Sequence, residues 1–324
     1  MMQPVVEFSG FSLGRDIGSS WEPLVTDMTL TLRPGEVLGL VGESGSGKSL
    51  SALSCLGLLP AKVRQLGGSL SVLGRDTSDF SEDDWREVRG AQVSMIFQDP
   101  MTSLDPCFTV GSQIVETIRA HESVSTRVAH NSALEMLRLV GITDPESRYE
   151  AYPHELSGGL RQRAMIAAAL VMKPKVLVAD EPTTALDVTT QAAIIELVLA
   201  LQREMGMSVL WISHDLAVVA NLAHRVAVMY AGELVEVAET ESLFAQPKHP
   251  YTRGLIDSAR VRAAGEPFDF IAGSVPEPGG WPTGCRFSPR CSRSTEACTE
   301  PATMTVSVTE SCVRCHHPGT EVLA

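Results

Sequence analysis

At 324 residues, with 44% hydrophobic and 20% charged side chains, the chain can hold a large domain plus an appendage and can bury a core. Its formal net charge of −13 disfavours nonspecific binding to nucleic acid or anionic lipid, whose phosphates call for a basic surface. No apolar run approaches the ~18 to 20 residues that span a bilayer. Met1 to Glu7 lacks the basic-then-apolar pattern of a secretory leader, so a cytosolic protein is expected.

In chain order, Val5 to Leu13 and Met28 to Leu32 show the alternation of antiparallel edge strands. Val37 to Val41 is a continuous apolar run, read as a buried strand, followed by a glycine-rich turn and an apolar helix from Lys48. Gln92 to Phe97 is a second such strand. A helix-rich insert over about 100–172 follows, with helical periodicity from Gly111 to Ala120 and from Val128 to Val140. Further strands are expected at Val176 to Ala179, Ser208 to Ile212 and Arg225 to Tyr230, with a helix from Thr189 to Met205. The alternation predicts an α/β fold with a mostly parallel central sheet. From about Ser242 the composition shifts to Pro, Gly, Cys and Arg, and a small module short of core residues is expected.

Gly42-Glu43-Ser44-Gly45-Ser46-Gly47-Lys48-Ser49 fits G-x-x-x-x-G-K-[ST] between a predicted strand and helix. Its glycines let backbone N–H groups approach phosphates, Lys48 can reach the β- and γ-phosphates of a nucleotide, and the Ser49 hydroxyl can ligate Mg²⁺. Val176 to Ala179 runs into Asp180-Glu181 at a strand's C-terminal end, where ligand chemistry gathers in α/β sheets. Asp180 would hold Mg²⁺, and Glu181 would polarise the attacking water as general base. Leu156-Ser157-Gly158-Gly159-Leu160-Arg161-Gln162 opens a helical run, with Ser157 as N-cap.

These three motifs, in this order, resemble the ATP-binding cassette (ABC) nucleotide-binding domains. The resemblance implies a P-loop NTPase core with an antiparallel β edge, a helical subdomain over about 100–172 and a cassette over 1–241. It implies that Gln98 contacts Mg²⁺ and the attacking water, that His214 holds the γ-phosphate and supports Glu181, and that Ala185-Leu186-Asp187 is the D-loop. It also implies a head-to-tail pair, in which Ser157, Gly158, Gly159 and Gln162 serve, in trans, a nucleotide on the partner. The family usually stacks adenine on an aromatic residue near Arg15; here Arg15 or Trp21 could take that place.

Phe97 to Pro106, Tyr152 to Leu156, Arg161 to Ala167 and His249 to Leu255 are similar to the ATPase subunits of oligopeptide and dipeptide importers. The expected activity is ATP hydrolysis coupled to peptide import at the cytoplasmic face of the cell membrane. Relatives with this layout also import nickel, nickel chelates or sugars. The implied partners are a second, non-identical ATPase subunit, two membrane permeases and an extracytoplasmic solute-binding protein. Nucleic acid is not among them. Against a soluble repair or translation ATPase stand the single P-loop and the lack of sustained heptads. The full cysteine tail weighs against an accessory role in phosphonate breakdown, and the lack of fused membrane segments weighs against an exporter motor.

Five of the seven cysteines, Cys285, Cys291, Cys298, Cys312 and Cys315, crowd the tail, which in a reducing cytosol suggests metal over disulfides. Four thiolates in a small loop-rich module can hold zinc or an iron–sulfur cluster. The importer resemblance implies a [4Fe-4S] site on Cys285, Cys291, Cys298 and Cys315 within an extension over 242–324, with Cys312 as a spare or a replacement. Zinc and free buried thiols compete with that expectation.

Overall fold

The computed structural model describes residues 3–99, 103–184, 186–260, 270–306 and 311–319. Among these the strands are, in chain order, β1 (Val6–Asp16), β2 (Trp21–Leu32), β3 (Val37–Val41), β4 (Val63–Val72), β5 (Arg75–Asp76), β6 (Val93–Ile96), β7 (Val176–Asp180), β8 (Ser208–Ser213), β9 (Arg225–Tyr230), β10 (Glu233–Glu239), β11 (Thr305–Val306) and β12 (Cys312–Val313). The chain forms two compact units, one of residues 1–78 and 210–324, the other of residues 79–209.

In the first unit, an antiparallel sheet has the order β2-β1-β4-β5. Val6, Phe8, Phe11 and Leu13 of β1, Val25, Met28, Leu30 and Leu32 of β2, and Leu70 and Val72 of β4 are all buried, as one-sided burial of a sheet demands. β4 has no counterpart among the sequence expectations. Gly67-Gly68 interrupts its alternation, and that glycine is required: a Cβ on Gly68 would lie 2.2 Å from the Gly10 carbonyl oxygen of β1.

The second sheet of this unit runs β11-β12-β10-β9-β3-β8, with β8 belonging to it from Leu210 onward. All five residues of β3 are buried, and β3 pairs in parallel with β9 from Leu38↔Arg225 to Val41↔Val228. β9 and β10 form a hairpin whose two-residue turn, Ala231-Gly232, has φ of +45° and +83°, as a primed turn requires. The tail completes the same sheet. Glu236 and Val237 of β10 pair antiparallel with Val313 and Cys312, and β11 adds to β12. The tail is therefore seated by strand pairing as well as by buried Phe287, Cys298, Ala302 and Val313.

In the second unit, β6 and β7 are parallel, in register from Val93↔Val176 to Ile96↔Ala179. Helices Val110–His121 and Thr126–Leu139 occupy the predicted insert, capped by the hydroxyls of Thr109 and Ser125. Val110, Ile114 and Ile118 repeat every four residues and are buried, which is the amphipathic spacing read in the sequence. Gly111 admits the ring of Tyr149, which would lie 2.2 Å from any Cβ there. Helix Gly158–Leu170 is buried along most of its length, and helix Val188–Met205 stops at Gly206, whose φ is +65°.

Candidate functional site

In the first unit, β3 leads into the glycine-rich loop and the helix Lys48–Ser54. Gly42 (φ +153°) must lack a side chain, because a Cβ would lie 2.1 Å from the Met229 carbonyl oxygen of β9. Gly47 (φ +99°) is the N-cap residue in the left-handed region. The Lys48 ammonium, on a residue only 5% exposed, donates to the carbonyls of Gly42 (2.7 Å) and Glu43 (2.9 Å) and to the Ser46 hydroxyl (3.4 Å). Nζ is thus held at the loop's centre, while Ser44 and Gly45 are exposed.

The loop is also held from outside. The Glu43 N–H donates to the Tyr251 hydroxyl at 2.9 Å, and the Glu43 carboxylate pairs with the Arg290 guanidinium at 3.0 Å. The Gly232 N–H, in the β9–β10 turn, donates to the Ser46 carbonyl at 3.1 Å. Sequence reasoning missed Tyr251 and Arg290. They lie 208 and 247 positions from Glu43, and no local spacing signals such a contact.

His214 follows β8 and is exposed, just before the helix Leu216–Leu222, which the Asp215 carboxylate caps through the N–H groups of Ala217 (2.9 Å) and Val218 (3.3 Å). Of the two adenine-stacking candidates, Arg15 is bound by the Glu22 carboxylate, and Trp21 carries the Arg64 guanidinium 3.9 Å from its ring centroid.

In the second unit, the ends of the neighbouring strands β6 and β7 bring Gln98 and Glu181 together. Gln98 Nε2 donates to Glu181 Oε2 at 3.3 Å, and the Thr184 hydroxyl donates to the same oxygen at 3.1 Å. Glu181 has φ of +46°, a backbone strain of the kind that gathers at active sites. Asp180, at the end of β7, is 7% exposed. Thr184 was not among the sequence candidates, since a lone threonine in a turn carries no signal of its own.

Ser157 accepts from the Leu160 N–H at 3.4 Å as N-cap of helix Gly158–Leu170, and it and Gly158 are exposed. Gly159 sits against Thr190, whose methyl would lie 3.2 Å from a Cβ. Gln162 is 1% exposed, and Nε2 donates to the Pro182 carbonyl at 2.5 Å in its own unit. Burial of an amide demands such a partner, and the bond ties the helix to the turn after Glu181. Asp187 caps helix Val188–Met205, and hydrogen bonds from the hydroxyl of Thr189 and from the N–H and hydroxyl of Thr190 hold its carboxyl well below the usual range. Ala185 of the D-loop and 100–102 of the segment after β6 lie outside the described residues.

In the tail, Cys285, Cys291, Cys298 and Cys315 line one small pocket with His249, Phe287, His316 and His317. Cys312 is elsewhere, in β12. Burial pushes Cys285 up to about 11, opposed by a hydrogen bond from the Phe287 N–H and aided by the neighbouring thiols. Neither the expected [4Fe-4S] site nor its zinc alternative has a metal-holding group to support it among the described residues. Among the described residues no group of three or more His, Cys, Asp or Glu is placed to hold one ion.

Residues 25–184 match the family model "ABC transporter", and residues 235–298 match "Oligopeptide/dipeptide transporter, C-terminal region". The chain is 48% identical over 288 residues to the dipeptide transport ATP-binding protein DppD of Haemophilus influenzae, covering 89% of this chain and 87% of that protein. DppD of Escherichia coli is 46% identical over 298 residues, covering 91% and 90%. Among solved structures, a dimeric ATP-binding cassette bound to ADP and Pi superposes with a TM-score of 0.65 at 26% identity, over 72% of this chain and 98% of that one. The fold is that of an ABC ATPase cassette, mixed α/β with an antiparallel sheet and a helical part. The protein belongs to the ATP-binding subunits of the oligopeptide/dipeptide ABC transporter family, ATPases coupled to transport. Among the described residues no helix is long and apolar enough to cross a membrane.

Proposed function

We propose that this chain is the ATP-hydrolysing subunit that powers import of di- and oligopeptides, working at the cytoplasmic face of the membrane. The observation that carries the catalytic part is the Gln98–Glu181 hydrogen bond at the ends of two parallel strands. Glu181 acts as general base on the attacking water, and Gln98 orients the same water. Gly42 to Ser49 cradle the phosphates, His214 supports the γ-phosphate, and Arg15 or Trp21 contacts adenine. Ser49, Gln98 and Asp180, all oxygen donors, suit Mg²⁺, which would offset the phosphate charge. Ser157, Gly158 and Gly159 face a nucleotide on a second ATPase subunit, while Gln162 braces their helix.

The cassette spans 1–241, with its helical subdomain over about 100–172, and the extension spans 242–324. The partners are a paralogous ATPase, two permeases and a solute-binding protein. In the extension, Cys285, Cys291, Cys298 and Cys315 hold a [4Fe-4S] cluster. The pocket shared by the four thiols supports this reading.

The test is ATPase activity of the complex captured through this chain and reconstituted with its binding protein. Stimulation by short peptides, and not by nickel chelates or sugars, is expected. Stimulation by either of those solutes would reassign the cargo.

A further inference from the structure

The candidate phosphate loop is built partly by the cysteine-bearing tail. At Glu43, the Tyr251 hydroxyl accepts the backbone N–H at 2.9 Å, and Arg290 Nη1 meets the carboxylate at 3.0 and 3.2 Å. Neither contact is a loose surface pair. Tyr251 is fully buried, wedged among Tyr230 and Phe287 at ring-centroid distances of 4.6 and 5.4 Å. The Arg290 side chain is 6% exposed and is aimed by three further bonds, to the carbonyls of Ala272 (2.9 Å) and Ile271 (3.2 Å) and to the Tyr230 hydroxyl (3.4 Å).

A second brace reaches Ser46. The Ala231-Gly232 turn donates from Gly232 N to the Ser46 carbonyl, and Arg286 Nη1 donates to the Ala231 carbonyl at 2.5 Å. Arg286 is itself clamped by the Thr26 hydroxyl at 2.9 Å and lies 3.6 Å from the Trp281 ring centroid. Arg286 follows Cys285 and Arg290 precedes Cys291, so both braces spring from the cysteine module. A loop whose N–H groups must converge on phosphate loses affinity when its backbone relaxes, because the cost of ordering it is then met on binding.

We propose that Tyr251 and Arg290 are positioning residues of the phosphate loop, through which the C-terminal module sets this subunit's affinity for nucleotide. The inference rests on the motor reading above, in that it takes the 42–49 loop as the nucleotide site. Both act through Glu43.

The experiment measures KM for MgATP and kcat in the assembled transporter for the unaltered chain, Tyr251→Phe, Arg290→Gln, Arg290→Lys, Glu43→Gln and Glu43→Gln with Arg290→Gln. Tyr251→Phe and Arg290→Gln should each raise KM on the order of tenfold with kcat within about twofold. Arg290→Lys, which keeps the charge, should recover part of the loss. Arg290→Gln should add little in the Glu43→Gln background, because the two share one contact. Tyr251→Phe keeps the buried ring, so it isolates the hydroxyl even where an arginine variant assembles poorly. Unchanged KM in active Tyr251→Phe and Arg290→Gln complexes would overturn the brace. So would a full additional loss in the double variant. An unaltered complex without ATPase activity would instead fail the motor reading.

Discussion

Glu181 is the residue on which the proposed chemistry turns. Its carboxylate accepts from Gln98 and Thr184, and its backbone sits at φ +46°, where a non-glycine residue persists only if its surroundings hold it. The strained carboxylate is thereby aimed by two neighbours and by the turn itself. Glu181→Gln keeps the shape and removes the base, so turnover should fall by about 100-fold or more while nucleotide affinity stays within about twofold. ATPase assays paired with nucleotide-binding titration check this, and normal turnover would refute the role. The motif made Glu181 legible from sequence, because an apolar strand ending in two acids is a local pattern. Thr184 and the burial of Gln162 were not, since each depends on what the chain places opposite.

At the scale of elements, the helix Pro250–Ala259 opens with proline in its first turn, where a missing N–H costs nothing, and takes His249 as its cap. His249 Nδ1 accepts from the Tyr251 N–H at 3.1 Å, so the imidazole fixes the start of the helix that carries the phosphate-loop contact. Burial depresses His249 from 6.5 to about 3. As pH falls below about 6.5 the unfolded chain takes up a proton that the folded chain refuses until about 3, so stability falls with acid. The limiting slope is about 1.4 kcal/mol per pH unit. Burial raises the Glu236 carboxyl beneath the same turn, and that group acts in the opposite sense: its contribution is present below the unfolded value and is lost as pH rises through the folded one. Comparison with a variant cancels it. His249→Asn keeps a capping acceptor and removes the titration, so the stability of the unaltered chain relative to this variant should fall as pH drops from about 6.5 to 4. Equal pH dependence in denaturant titrations would show that His249 is not the group.

At the scale of the molecule, the tail is joined to the rest of the first unit by strand pairing at β10 and β12, and Arg314 binds Asp27 at 2.9 Å. A module short of apolar residues gains order from such pairing and, in the proposed reading, from a cluster. Anaerobically purified protein should contain about four irons with matching sulfide per chain. Cys291→Ser should lower that content and Cys312→Ser should leave it, because Cys312 lies off the shared pocket. Protein with neither iron nor sulfide would sink the cluster.

The sequence by itself determined the family, the glycine-rich 42–49 loop, the acidic strand end and the capped helix after Ser157, because each is a contiguous run whose spacing enforces its own geometry. Many strand and helix positions followed from periodicity; β10 was not read although its middle is buried, and β4 was not read because a close backbone approach demands glycine there and breaks the pattern. Only the tertiary structure decided that Gln98 meets Glu181, that four of the five tail cysteines share a pocket, and that Tyr251 and Arg290 close on Glu43. The hydrogen bonds among these join residues 83 to 247 positions apart. Their energy comes from burial and pairing that exist only once the sheet has assembled, and no local pattern in the chain encodes them.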